Sequence, residues 1–328
     1  MPYDGPPQLT LVRTLTEWTF DPWALVIIAL LGVGYAAGVR RVRRDGQSWP
    51  VSRPIWFFLL GLGPLVLATM SWVGVYQSIL FYVRATQTVL LVLVVPLFLA
   101  MGRPISLAIA ALSVNGGRGG QRIEAAVKSR VAKVLLFPAF TTFALVVIPF
   151  LMYFSPWYTA SFHHTSVRVL TYLALMAPGF AFFWTLLRVD PVPRQWSYAV
   201  SMWITGAEVI GDAILGLAVI ADNGVIGDAW YRALHVPWGS TLKTDQVIGG
   251  GVLWVLGDVV GLPFLAAQLI QLMREDETEA VRIDAELDAK DAQKAKASVA
   301  AGAEEPASDR PWWEQDDRFT DRFKSADQ

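Results

Sequence analysis

The chain has 328 residues, 54% of them hydrophobic and only 17% charged, with a formal net charge of −1. A soluble domain is typically about 45–50% apolar and about 25% charged, so this composition, with a mean hydropathy of +0.42, excludes an ordinary soluble globular protein. The absence of cysteine also excludes disulfides, dithiol redox chemistry and thiolate metal sites.

The near-neutral total hides a split. Residues 274–328 carry 9 basic and 16 acidic side chains, whereas residues 1–273 carry 18 and 12. A basic membrane body is joined to an acidic tail. Residues 1–21 form an N-terminal segment with no apolar stretch behind a basic one, so the first span is expected to insert as its own signal.

A membrane-spanning helix needs about 20 mostly apolar residues. Seven candidates follow within residues 22–273: Pro22–Val39, Pro54–Tyr76, Phe81–Met101, Val134–Tyr153, Ser166–Leu187, Ser197–Ile220 and Val247–Met273. Pro64, Pro96, Pro178 and Pro263 lie inside spans, where neighbouring helices can satisfy the freed carbonyls. The expected fold is an all-α polytopic membrane bundle of seven transmembrane helices.

Loop charge sets orientation. The loops after spans 1, 3 and 5 hold thirteen basic residues, among them Arg40, Arg41, Arg43, Arg44, Arg118, Arg122, Arg188 and Arg194. The opposite side holds Arg13, Arg232 and Lys243. The N-terminus is therefore expected outside and the C-terminus in the cytoplasm. In the loop after span 3, SVNGGRGGQR (113–122) is expected to be a flexible glycine hinge between two short interfacial helices, Pro104–Leu112 and Arg122–Lys133.

The tail divides in two. Residues 274–308 read as a solvated helix with alternating charges followed by an alanine-rich, disorder-prone linker. Residues 309–328 contain Trp312, Trp313, Phe319 and Phe323, too apolar for an inert end. They are expected either to fold back on the body or to dock a partner protein.

Five ionisable side chains fall inside the apolar runs: Arg84, Arg168, Glu208, Asp212 and Asp258. Each costs roughly 3 kcal/mol or more at a helix centre unless it faces a partner or a cavity. Two cations and three acids are able to neutralise one another. The histidines, His163, His164 and His235, all fall outside the membrane and make only a weak metal-site candidate, because adjacent side chains diverge. No Ser-His-Asp, HExxH or phosphate-binding glycine motif is present, so the chain reads as a non-enzyme.

Several segments match a known pattern in order. They are WTFDP (18–22), VRRVRRDGQSWPVSR (39–53), FYVRATQTVLLVLVVPLFLAMGRP (81–104), SPWY (155–158), GFAFFWTLLRVDPVPR (179–194), AILGLAVI (213–220) and DQVIGGGVLWVLGD (245–258). Together they resemble the CtaG-type cytochrome c oxidase assembly factors, seven-span bacterial membrane proteins, in their actinobacterial form. The resemblance covers residues 18–273 and not the tail.

The resemblance implies histidines, possible metal ligands or redox-site neighbours, at recurring positions. Here Arg84 and Thr88 stand where relatives carry two histidines, with Gln87 between them retained. Arg168 and Tyr172 stand at another such pair, and Asp212 replaces a further histidine. Asp258 keeps a family acid. Arginine has no lone pair for a metal, so the copper that the resemblance suggests is not expected, and no cofactor is assigned.

The expected site is instead one hydrogen-bonded ion-pair network of Arg84, Gln87, Thr88, Arg168, Tyr172, Glu208, Asp212 and Asp258, with Arg84 bonded to Asp212 or Asp258. The implied function is a membrane accessory or assembly factor for a haem–copper oxidase in the bacterial plasma membrane. Its partners would be the lipid bilayer and oxidase subunits or other respiratory-chain proteins, with no nucleic acid. A subunit of a respiratory supercomplex and an ion, proton or small-solute transporter using the buried charges remain alternatives.

Overall fold

The computed structural model describes residues 3–194 and 196–300, and their regular secondary structure is entirely helical. Helix α1, Pro22–Arg44, starts where the sequence says it should. Asp21 accepts hydrogen bonds from the Trp23 and Ala24 amides, and Pro22 supplies the fixed first turn. The helix runs five residues past the expected Val39. Arg41, Arg43 and Arg44 occupy its last turn, where cations complement the helix dipole.

Helices α2, Ser52–Tyr76, and α3, Phe81–Met101, share a device. Each widens into a π-helical stretch, Trp56–Leu62 in α2 and Leu90–Val94 in α3, just ahead of Pro64 and Pro96. Proline donates no amide hydrogen and its ring crowds the carbonyl one turn back, so the helix opens there. In α3 that carbonyl belongs to Val92, and Gly179 packs directly on it: a Cβ at 179 would collide with the oxygen. The proline distortion and the close approach of the next helix are thus one feature.

Helices α4, Pro104–Ser113, and α5, Gly119–Val127, follow. The intervening glycine run, expected to be a flexible hinge, is a tight corner. A side chain at Gly120 would meet Ser113 Oγ, and one at Gly119 would lie 2.9 Å from Leu112 Cβ.

The fourth span departs most from its sequence outline. Residues Arg130–Leu135 form a separate short helix, capped by Ser129. Helix α6 begins only at Pro138 and ends at Tyr153, and α7, Trp157–His163, turns away by 70°. Phe137 is extended, as a residue before proline prefers. Sixteen residues rise about 24 Å, short of a roughly 30 Å core, and α6 reaches the length of a span only when taken together with α7. The other spans are α8, Thr165–Leu187, α9, Tyr198–Ala221, and α11, Leu242–Ala300, with the short α10, Asp228–Ala233, between the last two. Among the described residues, six helices are long and apolar enough to cross a membrane, and the bent pair of α6 and α7, counted as one span, brings the number to seven.

The chain divides into two compact units at Leu269. In the first, α3 is the most buried span. Helices α9 and α11 meet glycine to glycine: a Cβ on Gly216 would lie 2.6 Å from the Gly250 carbonyl, and one on Gly250 would lie 2.7 Å from that of Gly216. In the second unit, Arg282 pairs with Glu279 and with Glu286 at 3.9 Å along one solvated helix face. Trp312, Trp313, Phe319 and Phe323 lie outside the described residues.

Candidate functional site

The eight residues expected to form one network occupy three separate centres. The first is built on Arg84, one turn into α3 and 1% exposed. Its Nη1 donates to Gln77 Oε1 and Gln87 Oε1, both at 2.7 Å. Its Nη2 donates to Ser161 Oγ at 3.0 Å and approaches Met152 Sδ at 3.7 Å. The guanidinium also lies 5.3 Å from the Phe162 ring centroid.

Arg84 therefore bonds neither Asp212 nor Asp258, which corrects the expected network. The helix sequence explains the difference. Gln77 and Gln87 flank Arg84 at one or two turns on its own strand of chain, and the bend between α6 and α7 delivers Ser161 to the same spot. Neutral oxygens solvate the cation where an anion was expected. Thr88 is close in sequence but bonds elsewhere: its hydroxyl donates to the Arg84 carbonyl at 3.0 Å and shares a hydrogen bond with Tyr153 Oη at 3.0 Å.

The second centre joins Arg168 and Tyr172 of α8 to Asp21. Arg168 Nε lies 3.3 Å from Asp21 Oδ2, and Tyr172 Oη donates to the same oxygen at 3.4 Å. The Arg168 Nε–H is not aligned for a hydrogen bond, so this is an ion pair by proximity. Since Asp21 Oδ1 caps α1, one carboxylate ties the start of α1 to α8. Sequence reading missed Asp21 as a partner because it lies just outside the first span, although an Asp-Pro pair ahead of an apolar run is a helix-start signal.

The third centre holds the acids alone. Glu208 is 2% exposed. The carboxyl groups of Glu208 and Asp212, one turn apart on α9, lie within hydrogen-bonding reach of each other, with Asp258 of α11 beside them. They fit because α11 presents glycines: a Cβ on Gly257 would lie 2.6 Å from Asp212 Oδ2, and one on Gly261 3.3 Å from Glu208 Oε2. Glu208 Oε1 and Asp258 Oδ1 have no hydrogen-bond partner in the protein.

Two further buried carboxylates, Asp245 and Asp190, serve as helix caps. Asp245 accepts from the Phe81 and Tyr82 amides at 2.7 and 3.2 Å, and so caps α3 from α11. Asp190 accepts from Ile105 and Ser106 at 3.1 and 2.9 Å and caps α4 from the loop after α8. Burial pushes the Asp190 carboxyl above the ordinary 3.8, against the Ser106 and Ile105 hydrogen bonds and the nearby Arg103. At the far end of α9, Lys243 donates to the carbonyls of Ile220, Asp222 and Gly224. These cross-chain caps have no signal in local spacing.

The histidines are exposed. His163 and His164 ring centroids are 6.4 Å apart, His163 packs edge-on against Trp230 at 4.7 Å, and His235 Nδ1 sits 2.9 Å from the Ala233 carbonyl. Among the described residues, no group of three or more His, Asp or Glu is arranged to hold a metal ion. An apolar recess of about 730 Å³ lies between α1, α4 and α8.

Spanning helices that bury their charges in local polar cages define a polytopic helical membrane protein. The chain belongs to the cytochrome c oxidase caa3 assembly factor family, Caa3_CtaG, whose model matches residues 33–275. Uncharacterized proteins of Mycobacterium bovis and Mycobacterium tuberculosis are each 31% identical over 290 residues, and one of Mycobacterium leprae is 30% identical over 290. In each case the match covers 87% of this chain and 44% of the relative, so the chain spans less than half the length of these curated relatives. No solved structure matches.

Proposed function

We propose that this chain is a non-enzymatic membrane assembly or accessory factor for a haem–copper oxidase, and that it works by holding a partner rather than by carrying copper within its bundle. The oxidase link is supported by the family match over residues 33–275. The second half rests on one observation. Arg84, at a position where the resemblance implies a metal-type histidine, is buried with its terminal nitrogens engaged by Gln77, Gln87 and Ser161. A guanidinium offers a metal no lone pair, and its three neutral partners are turned toward the cation. Arg168, at a second such position, is held by Asp21. These residues do not fit copper.

In the bacterial plasma membrane the N-terminus faces outward and the C-terminus the cytoplasm, a reading supported by the basic loops after α1, α3 and α8. The N-terminal segment and α10 then offer the outer contact surface, and residues 309–328 the inner one.

The test is affinity purification of the full chain, with and without residues 309–328, followed by metal analysis and identification of what accompanies it. Oxidase subunits are expected with the full chain, and copper well below one per chain. One copper per chain, lost on changing His163 and His164, overturns the copper-free reading. Absence of every oxidase subunit overturns the partner reading. Recovery with unassembled subunits marks an assembly factor, and recovery only with mature oxidase marks a permanent subunit. Reporter fusions at the two termini check the orientation.

A further inference from the structure

The acidic centre is the part of the bundle that a holding role leaves unused. Three features of α9 and α11 point to one activity. The first is charge. The electrostatic neighbours of Glu208 are Asp212 and Asp258, and those of Asp212 are Glu208 and Asp258. Among the described residues, no Lys, Arg or His faces the trio from α6, α8, α9 or α11. Carboxylates at that depth are not stable as a cluster of anions. A hydrogen bond between two such carboxyl groups needs a proton, because an ionised carboxylate only accepts.

The second feature is a polar stripe. Asp212, Glu208, Thr205, Ser201 and Ser197 recur at intervals of three and four, on one face of α9. Ser201, Thr205 and Glu208 are each no more than 2% exposed. Thr205 Oγ1 bonds Gln268 Oε1 of α11 at 3.1 Å and the Ser201 carbonyl at 3.1 Å. Ser201 Oγ accepts from Arg188 Nη2 at 3.2 Å and donates to the Ser197 carbonyl at 3.2 Å. Fifteen residues at 1.5 Å each carry the stripe about 22 Å, from the Arg188 end of the bundle to Asp212.

Gln268 is 4% exposed, and its Nε2 has no partner in the protein, like Glu208 Oε1 one turn away on the facing helix. An orphaned donor and an orphaned acceptor at neighbouring levels are what a bridging water joins.

The third feature is a seal. Beyond Asp212 the stripe ends at Leu215, Val219 and Leu253, all at most 3% exposed, and at the Gly216–Gly250 contact.

We propose that Glu208, Asp212 and Asp258 form an intramembrane proton-binding site, open along the Ser197–Ser201–Thr205–Gln268 stripe to the Arg188 side and closed toward the other. A hydronium arriving along the stripe gives its proton to a Glu208 carboxylate oxygen and leaves as water. The proton is then shared with Asp212, and no electron transfer is involved. One-sided access makes the site a proton store or sensor rather than a through-channel. This proposal is independent of the oxidase partner.

Infrared spectroscopy of the purified full chain in liposomes tests it. The expected result is a carboxylic-acid C=O stretch at neutral pH that shifts down in D2O and is lost in Glu208→Gln. Thr205→Val and Ser201→Ala should keep the band but slow its deuterium shift. Should Glu208→Gln fail to give folded protein, Asp212→Asn and Asp258→Asn read the same band. No acid band in the wild type, or a band that survives all three carboxyl replacements, overturns the site. A band lost as expected but indifferent to D2O overturns the access route, as does an exchange rate unchanged by Thr205→Val and Ser201→Ala.

Discussion

The Arg84 centre and the Glu208 centre bury charge of opposite sign in the same bundle and handle it in opposite ways. Around Arg84 the protein supplies oxygens: two glutamines, a serine and the face of Phe162. Around Glu208 it supplies space, with glycines of α11 against the carboxyl groups and atoms left without partners. A cation cannot shed its charge when it is arginine, so the fold must solvate it. A carboxyl group can take up a proton, so the fold needs only to bring acids together. The sign of a buried charge thus decides whether the surroundings supply partners, as they do to the terminal nitrogens of Arg84 though not to its Nε, or leave room for a proton.

The comparison breaks most severely if the helices that frame the acids cannot meet. Gly250→Leu places side-chain atoms against the Gly216 carbonyl and Ile220, and should cost about 3 kcal/mol. Thermal unfolding in detergent and loss of a monodisperse chromatographic peak check it. Next is the loss of the solvated cation. Arg84→Met leaves the oxygens of Gln77, Gln87 and Ser161 without their donor and should cost about 2–3 kcal/mol, read from the same unfolding assay.

Asp21→Ala removes an N-cap and the partner of Arg168, and about 2 kcal/mol should be lost. In a double-mutant cycle Arg168→Leu should then cost less than it does alone, because the pair is already broken. Glu208→Gln sharpens the contrast, since the same neutralisation that damages the Arg84 centre should leave stability within about 0.5 kcal/mol here. Equal losses for Arg84→Met and Glu208→Gln would erase the distinction.

The smallest effect concerns Asp190, outside the membrane. Its carboxyl is pushed above 3.8 by burial, so the folded state binds the proton more tightly than the unfolded chain. Its titration therefore adds stability that is full below about 4 and is lost as pH rises through the raised value. Asp190→Asn should flatten that part of the stability–pH curve, which unfolding midpoints across mildly acidic pH measure.

Sequence alone determined the class of this protein and most of its spans, because runs of about 20 apolar residues are a local property that the bilayer enforces. It also found the charges within the apolar runs, Arg84 and Glu208 among them, since a charged residue inside such a run is conspicuous wherever it points, but not the buried Asp21, Asp190 and Asp245 at the helix ends. The Asp-Pro start of α1 and the proline-distorted spans were readable for the same local reason.

What sequence could not decide was pairing. Opposite charges within the membrane suggested one neutral cluster, yet which side chains meet depends on helix rotation and packing order. The 70° bend between α6 and α7 brings Ser161 to Arg84, Asp21 reaches α8 from outside the first span, and Gly257 and Gly261 leave room for the acids against α9. Those choices arise from contacts between residues up to about 150 positions apart, such as the 151 that separate Asp21 from Tyr172. The polar stripe on α9 lies between the two regimes. Its spacing is written in the sequence from Ser197 to Asp212, but only the packing of α11 against that face gives it a partner and closes one end.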